Sequence, residues 1–151
     1  MIKRILNPKD FEQLADDIFN LFEFENDNQS HSYLKHNKEM IKNCYANKYL
    51  LAWDFFVWGH HNGKFYDALI IFSNVKSAKF GENLFSEFIW LSKNPKVGYK
   101  LFTEARKFAK EKGFKYILMN RVLGHPKSQS VADFYEKIGF VKDSETYIAK
   151  I

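Results

Sequence analysis

At 151 residues the chain has the length of one domain spanning 1–151, and with 46% hydrophobic and 18% aromatic residues it can bury a continuous core. Sixteen Phe and three Trp exclude a disordered polymer, and the single Cys44 excludes an internal disulfide and fits a reducing cytoplasm. The net charge of +5 is modest: it reads first as a lysine-rich solvated surface and secondarily as a preference for an anionic ligand.

The start, Met1-Ile2-Lys3-Arg4-Ile5-Leu6, carries charge but no apolar segment behind it, so no signal peptide is expected. No apolar run approaches the ~18 residues that cross a bilayer, so a cytoplasmic protein without membrane association is expected. Asn7-Pro8-Lys9-Asp10 predicts a helix start, with Asn7 as N-cap, Pro8 in the first helical position and Asp10 in the first turn. Phe11, Leu14, Ala15, Ile18 and Phe22 then recur on one helical face. Asn26-Asp27-Asn28-Gln29-Ser30 reads as a polar break, and Ser32 to Tyr45 as a second helix with Leu34, Ile41 and Tyr45 inward.

Beyond it the period changes. Tyr49 to Trp58 and Lys64 to Phe72 read as strands joined through His60-His61-Asn62-Gly63, whose Asn-Gly pair predicts a hairpin. Leu84 to Leu91 is a third strand, whose simple alternation would put Phe85, Glu87, Ile89 and Leu91 on one face and Leu84, Ser86, Phe88 and Trp90 on the other. Helical spacing returns from Gly98 to Lys112 with Leu101, Phe102, Ala105, Phe108 and Ala109, closed by Gly113. Phe114 to Val122 reads as a strand, Ser130 to Ile138 as a helix closed by Gly139, and Phe140 to Ile151 as one or two last strands. The order helix, helix, three strands, helix, strand, helix, strand predicts an α/β (α+β) fold with a mixed sheet flanked by helices.

The last helix carries Phe134-Tyr135-Glu136-Lys137-Ile138-Gly139-Phe140. Its structural content is plain: Phe134 and Ile138, four apart, face inward together, and Gly139 ends the helix. The segment also resembles the FYEKLGF signature of the GNAT superfamily of N-acetyltransferases, with Ile138 where the signature has Leu. The resemblance extends from about Leu84 to Phe140, because the preceding strand, helix and strand stand in that family's order. It implies a GNAT-like fold with a mixed, mostly antiparallel sheet, and acetyl-CoA as the acyl donor. Tyr135 would be the general acid that protonates the departing thiolate, with Phe134 beside the donor. Backbone groups of Ile89, Trp90 and Leu91 would pair with the pantetheine arm.

In that family the turn before the central helix holds the pyrophosphate, consistent with the unpaired amides and positive dipole end of a helix N-terminus. Gly98-Tyr99-Lys100-Leu101 matches the end of the family's R/Q-x-x-G-x-G-x-x-L pattern. The remainder departs from it: Lys96 stands for the first glycine, Lys93 for Arg or Gln, and the turn from Ser92 to Val97 is short. On the resemblance, Lys93, Lys96, Val97, Gly98, Tyr99 and Lys100 would form the phosphate-binding turn, with lysine side chains replacing part of the backbone contact. Ser128 stands where the family often has an Asn that donates to pantetheine.

An ammonium has no lone pair, so a base must deprotonate the acceptor before attack. Glu87 is the first candidate, since burial on an apolar strand would raise its pKa toward neutrality. Asp54 and Asp67 are weaker alternatives. His60 and His61 read as solvated residues at a hairpin tip, and His31 and His36 do not have the spacing of a helical metal pair, so no metal site is expected. Glu23 to His31, with two glutamates and an aspartate, is the region where this fold shapes its acceptor pocket.

The sequence therefore points to transfer of an acetyl group from acetyl-CoA to a small-molecule or peptide amine, by direct attack in a ternary complex. The alternative is a catalytically inactive GNAT fold used as a binding module. Nucleic-acid binding through the lysines of the Gly98–Lys112 helix and Lys115 ranks last, because most of the aromatics fall in apolar-periodic segments and are expected to be buried. Trp53, Phe55 and Phe56 would supply an apolar contact for a homodimer if they are exposed.

Overall fold

The fold is given by a computed structural model, which describes residues 1–27, 39, 42–43, 54–121 and 127–144. The elements are β1 (Ile2–Ile5), α1 (Pro8–Asp27), β2 (Phe55–His61), β3 (Tyr66–Ser77), β4 (Glu82–Ser92), α2 (Pro95–Glu111), β5 (Tyr116–Leu118) and α3 (Ser128–Lys137). They fall in two compact units, one within Met1–Glu23 and Asn37–Asn120, the other within Phe24–His36 and Arg121–Ile151.

The first unit is built on a five-stranded sheet in the order β1-β2-β3-β4-β5. The first three pairings are antiparallel and β4–β5 is parallel, so the sheet is mixed and mostly antiparallel, as expected. Its leading strand β1 was not expected from the sequence. Four residues with Lys3 and Arg4 among them give no apolar alternation to read. In the sheet Ile5 is buried opposite Val57, and the Arg4 guanidinium lies 4.1 Å from the Phe108 ring centroid and 5.7 Å from that of Trp58.

α1 starts as the sequence predicts. Asn7 Oδ1 accepts from the Asp10 amide at 2.9 Å, and Asn7 Nδ2 donates to Asp10 Oδ2 at 2.7 Å, so side chain and amide satisfy each other across the first turn. The helix runs to Asp27, through the first two residues of the polar break expected over Asn26–Ser30. Its apolar stripe, Phe11, Leu14, Ala15, Ile18 and Phe22, packs with Ile5, Val57, Leu69 and Ile71 into one core, with Ile89 and Leu91 partly buried against it.

The opposite face of the sheet is covered by α2 and is unusually aromatic. Phe85, fully buried, stacks on Phe72 at 4.1 Å, Trp90 stacks on Phe102 at 5.9 Å, and Phe108 meets Phe56 at 5.1 Å and Trp58 at 5.4 Å. Each fully buried ring of this kind contributes ~1.5–3 kcal/mol by leaving water. The hairpin between β2 and β3 turns at Asn62-Gly63, where Asn62 Oδ1 accepts from the amides of Lys64 at 2.9 Å and Phe65 at 3.1 Å.

Several sequence boundaries shift. β5 keeps only Tyr116–Leu118 of the strand expected over Phe114–Val122, because Phe114 is used to close α2: its amide donates to Ala109 O at 3.0 Å. No strand forms over Phe140–Ser144, and the remainder of the expected last strands lies outside the described residues, as does most of the helix expected over Ser32–Tyr45.

Candidate active site

β4 decides where the chemistry can sit. Its ladder with β3 pairs Ile71 with Ile89 but Phe72 with Glu87, which leaves Phe88 as an extra residue in a β-bulge. A single inserted residue inverts the alternation beyond it. Glu87 therefore shares the α2 face with Phe85 and Trp90, whereas Ile89 and Leu91 turn to the α1 face. The face expected from simple alternation, which grouped Glu87 with Ile89 and Leu91, is corrected by this bulge. Phe88 itself is pushed outward, 44% exposed, with its ring against Phe55 at 5.7 Å.

The β4–β5 ladder pairs Leu84, Ser86 and the residue between them with Tyr116–Leu118 and then ends. Asn120 closes it: its backbone amide donates to Glu87 Oε2 at 3.0 Å and its side-chain amide donates to the Glu87 carbonyl. Beyond that point β4 continues to Ser92, and among the described residues no strand pairs with this edge at Ile89 or Leu91. The ladder thus ends at a buried carboxyl. Glu87 is only 7% exposed, and burial raises its pKa to about 7, with the two Asn120 bonds opposing the shift. Asn120 was not singled out from the sequence. Its only local signal is a polar residue closing the run Tyr116-Ile117-Leu118-Met119.

The turn from β4 to α2 is two residues long, Lys93 and Asn94. α2 begins at Pro95, so Gly98 lies inside its first turn rather than before it, which corrects the expected helix start. Asn94 is the N-cap: its side chain accepts from the Lys96 amide at 3.0 Å, and its carbonyl accepts from the Gly98 amide at 2.9 Å and from Ser92 Oγ at 2.7 Å. Gly98 sits in close packing. A Cβ there would lie 3.2 Å from Ser92 Cβ and 3.4 Å from Trp90 Nε1, so the glycine lets the helix rest on the end of β4. The Lys93 ammonium sits 5.4 Å from the Phe22 ring centroid, while Lys96, Tyr99 and Lys100 are exposed and Val97 is half-buried.

In the second unit the signature segment explains its own pattern. α3 ends in a Schellman motif: the Phe140 amide donates to Tyr135 O at 2.9 Å and the Gly139 amide donates to Glu136 O at 3.1 Å. Gly139 takes φ = 93°, which a side-chain-bearing residue adopts only with strain. The ring of Tyr135 meets that of Phe140 at 5.6 Å, the hydrophobic contact that accompanies this cap, and Phe134 lies 5.9 Å from Tyr135. Tyr135 is buried. Ser128 is buried at the start of α3, and its Oγ accepts from Arg121 Nε at 2.7 Å, which leaves its hydroxyl hydrogen able to donate.

The remaining candidates separate from these. His60 is not a solvated tip residue: its Nδ1 is bonded to Asp67 Oδ1 at 2.6 Å, and both side chains are largely covered. That pairing commits Asp67. Asp54 is exposed, and its carbonyl accepts from the Asn74 amide. Phe56 is buried and Phe55 packs on the core, so neither offers the apolar contact considered for a homodimer, and Trp53 lies outside the described residues. The same is true of His31 and His36 and of the side chains from Glu23 to His31. Among the described residues no three His, Cys, Asp or Glu gather as a metal site, and no helix is long and apolar enough to cross a membrane.

Known structures share this architecture. An aminoglycoside acetyltransferase from an uncultured soil metagenomic sample, solved with trehalose, superposes with a TM-score of 0.68 at 16% identity, over 100% of this chain and 95% of that one. A ribosomal-protein-alanine N-acetyltransferase from Brucella melitensis biovar Abortus 2308 gives 0.70 at 11% identity, over 100% and 99%. An integron cassette protein from the mobile metagenome of V. cholerae gives 0.68 at 11%, over 99% and 91%. No family model matches the chain, and no curated protein matches it in sequence. The chain has the fold of the GNAT acetyltransferases, as its signature segment led one to expect. At these identities the likeness establishes the architecture, and the chemistry has to be argued from the site.

Proposed function

We propose that this protein is an acyltransferase that moves an acetyl group from acetyl-CoA to an amine of a small molecule or peptide. The observation that carries the reading is Glu87: a carboxyl buried in an aromatic layer, at the bulge where the β4–β5 ladder ends, with a pKa of about 7. A group poised there can hold a proton or release it near neutral pH, which is what a general base needs.

In the proposed reaction the Glu87 carboxylate takes a proton from the acceptor ammonium, directly or through a water. The freed nitrogen lone pair attacks the thioester carbonyl carbon, a C–N bond forms and the C–S bond breaks. The thiolate leaves and takes a proton, for which Tyr135 is the proposed donor, while the attacking nitrogen sheds its second proton to solvent to give the neutral amide and the Tyr135 phenolate is reprotonated from solvent. That assignment rests on the signature segment alone, since α3 belongs to the other unit. The pantetheine arm is proposed to add to the edge of β4 at Ile89, Trp90 and Leu91, in the manner of an added strand. Phe134 and Ser128 are proposed on the donor side, and a cytoplasmic setting belongs to the same proposal. Two neighbours of the fold are named for an aminoglycoside and for a ribosomal-protein alanine, so both small-molecule and peptide amines belong in the acceptor screen.

The test is release of free thiol from acetyl-CoA in the presence of a panel of polyamines, aminoglycosides, amino acids and peptide N-termini. Turnover with one amine class and none without amine supports the proposal. Acetyl-CoA bound but never turned over would instead favour the inactive binding module, a reading that gains from the closed turn at Asn94.

A further inference from the structure

The two ends of a CoA thioester meet different surfaces on this chain. A helix start leaves four amides without intrahelical acceptors, and these are the groups that hold a pyrophosphate at such a site. In α2 half of that set is missing. Pro95 has no N–H, and the Lys96 amide is taken by the side chain of Asn94. The Gly98 amide makes the first intrahelical bond, to the Asn94 carbonyl, as in any helix, so the amides of Asn94 and Val97 are the other half of the set. The turn is also too short to wrap around a ligand: only Lys93 and Asn94 separate β4 from α2, and Ser92 Oγ ties the Asn94 carbonyl back to the end of the strand at 2.7 Å. Gly98, where a ligand's phosphate would come close to backbone, instead has its α-carbon against Ser92 and Trp90. Lys93 is directed to the Phe22 ring. Beyond those two amides a phosphate would meet only the exposed pair Lys96 and Lys100, solvated ammonium groups on flexible stems whose contacts are screened by salt. Around Glu87, by contrast, the bulge and the ended ladder are present, and among the described residues no strand pairs with the β4 edge at Ile89 and Leu91.

We infer that the donor is selected through its acyl-pantetheine arm, and that the 3′-phospho-ADP half of CoA contributes little to binding at the β4–α2 turn. The substrate class is thus acyl-pantetheine thioesters, of which CoA thioesters are one form. This inference rests on the acyltransferase reading and narrows it.

The experiment is calorimetric titration of the full chain with acetyl-CoA, with S-acetylpantetheine and with 3′,5′-ADP. Dissociation constants for the first two within tenfold of each other, with no heat from 3′,5′-ADP up to millimolar concentration, are expected. Acetyl-CoA binding more than tenfold tighter than S-acetylpantetheine, or measurable 3′,5′-ADP binding, would overturn the inference and leave the acyltransferase reading standing. If neither thioester binds, both fall. A second comparison reports on the turn itself. Pro95→Gly restores an amide and Asn94→Gly releases another, so the double variant is expected to gain affinity for acetyl-CoA but not for S-acetylpantetheine. A variant that folds and gains for neither would overturn the assignment of the loss to these two residues.

Discussion

The middle of β4 and its C-terminal end face opposite demands. Around Glu87 the strand is irregular, with a bulge, a ladder that stops and a carboxyl kept from water. At the Ser92 end everything is closed: a two-residue turn, a helix capped by its own Asn94 and a glycine packed against the strand. A bulge and a carboxyl held out of water are costly to keep, which supports the proposal that the acyl transfer takes place there. Satisfied hydrogen bonds at the C-terminal end mark a structural joint. A glycine and leucine shared with a phosphate-binding pattern here also serve packing.

The largest stability difference between the two regions should appear with pH. Glu87 has a folded pKa of about 7 against an ordinary 4.5, so the folded chain binds that proton more tightly than the unfolded one. Its contribution is complete below about 4.5 and is lost as pH rises through about 7, amounting to roughly 3 kcal/mol at most. Glu87→Gln keeps an acceptor for Asn120 and removes the charge. Denaturant melts at pH 8 should therefore show the variant more stable than the wild type, with the gap closing by pH 5. A variant less stable than wild type at pH 8 would place the carboxylate in a favourable environment and erase the contrast.

A packing test at the closed end follows in size. Gly98→Val, forced against Ser92 and Trp90, is expected to cost about 1–3 kcal/mol in the same melts, whereas Gly98→Ala gains helix propensity and should come out close to neutral. Tolerance of Val would mean that the joint is looser than its contacts indicate. Smaller still, Asn94→Ala loses the cap of α2 and is expected to cost about 1 kcal/mol. Should acetyl-CoA affinity rise at the same time, the freed Lys96 amide is within reach of the nucleotide and the distinction between the two regions is sharpened.

Much of this was legible in the sequence where the signal is local. Asn7 and Asp10 gave the start of α1, Asn62-Gly63 gave the hairpin, and the stripe from Leu101 to Ala109 gave α2. Glu87 could be chosen because a lone carboxyl on an apolar strand is a local anomaly. Its neighbours could not, since alternation assumes a regular ladder and the bulge at Phe88 inverts every face beyond it. Asn120 reaches Glu87 across 33 positions, and no local pattern encodes that contact. β1 was missed because Arg4 is placed by rings distant in sequence, Trp58 and Phe108. α2 starts three residues before Gly98, at Asn94-Pro95, itself a sound cap and first-turn pair, while Gly98 carries the stronger local resemblance to a helix-start glycine.

Glu87 as the base of an acyl transfer is tested most directly by the pH dependence of thiol release, wild type beside Glu87→Gln, with acetyl-CoA and a productive amine from the screen. The wild-type rate should rise to a plateau with an inflection near pH 7, as the carboxyl ionises. The variant should be slower by roughly 10²–10⁴-fold and lack that inflection. A Glu87→Gln protein that turns over at the wild-type rate with an unchanged profile would contradict the assignment and place the base elsewhere.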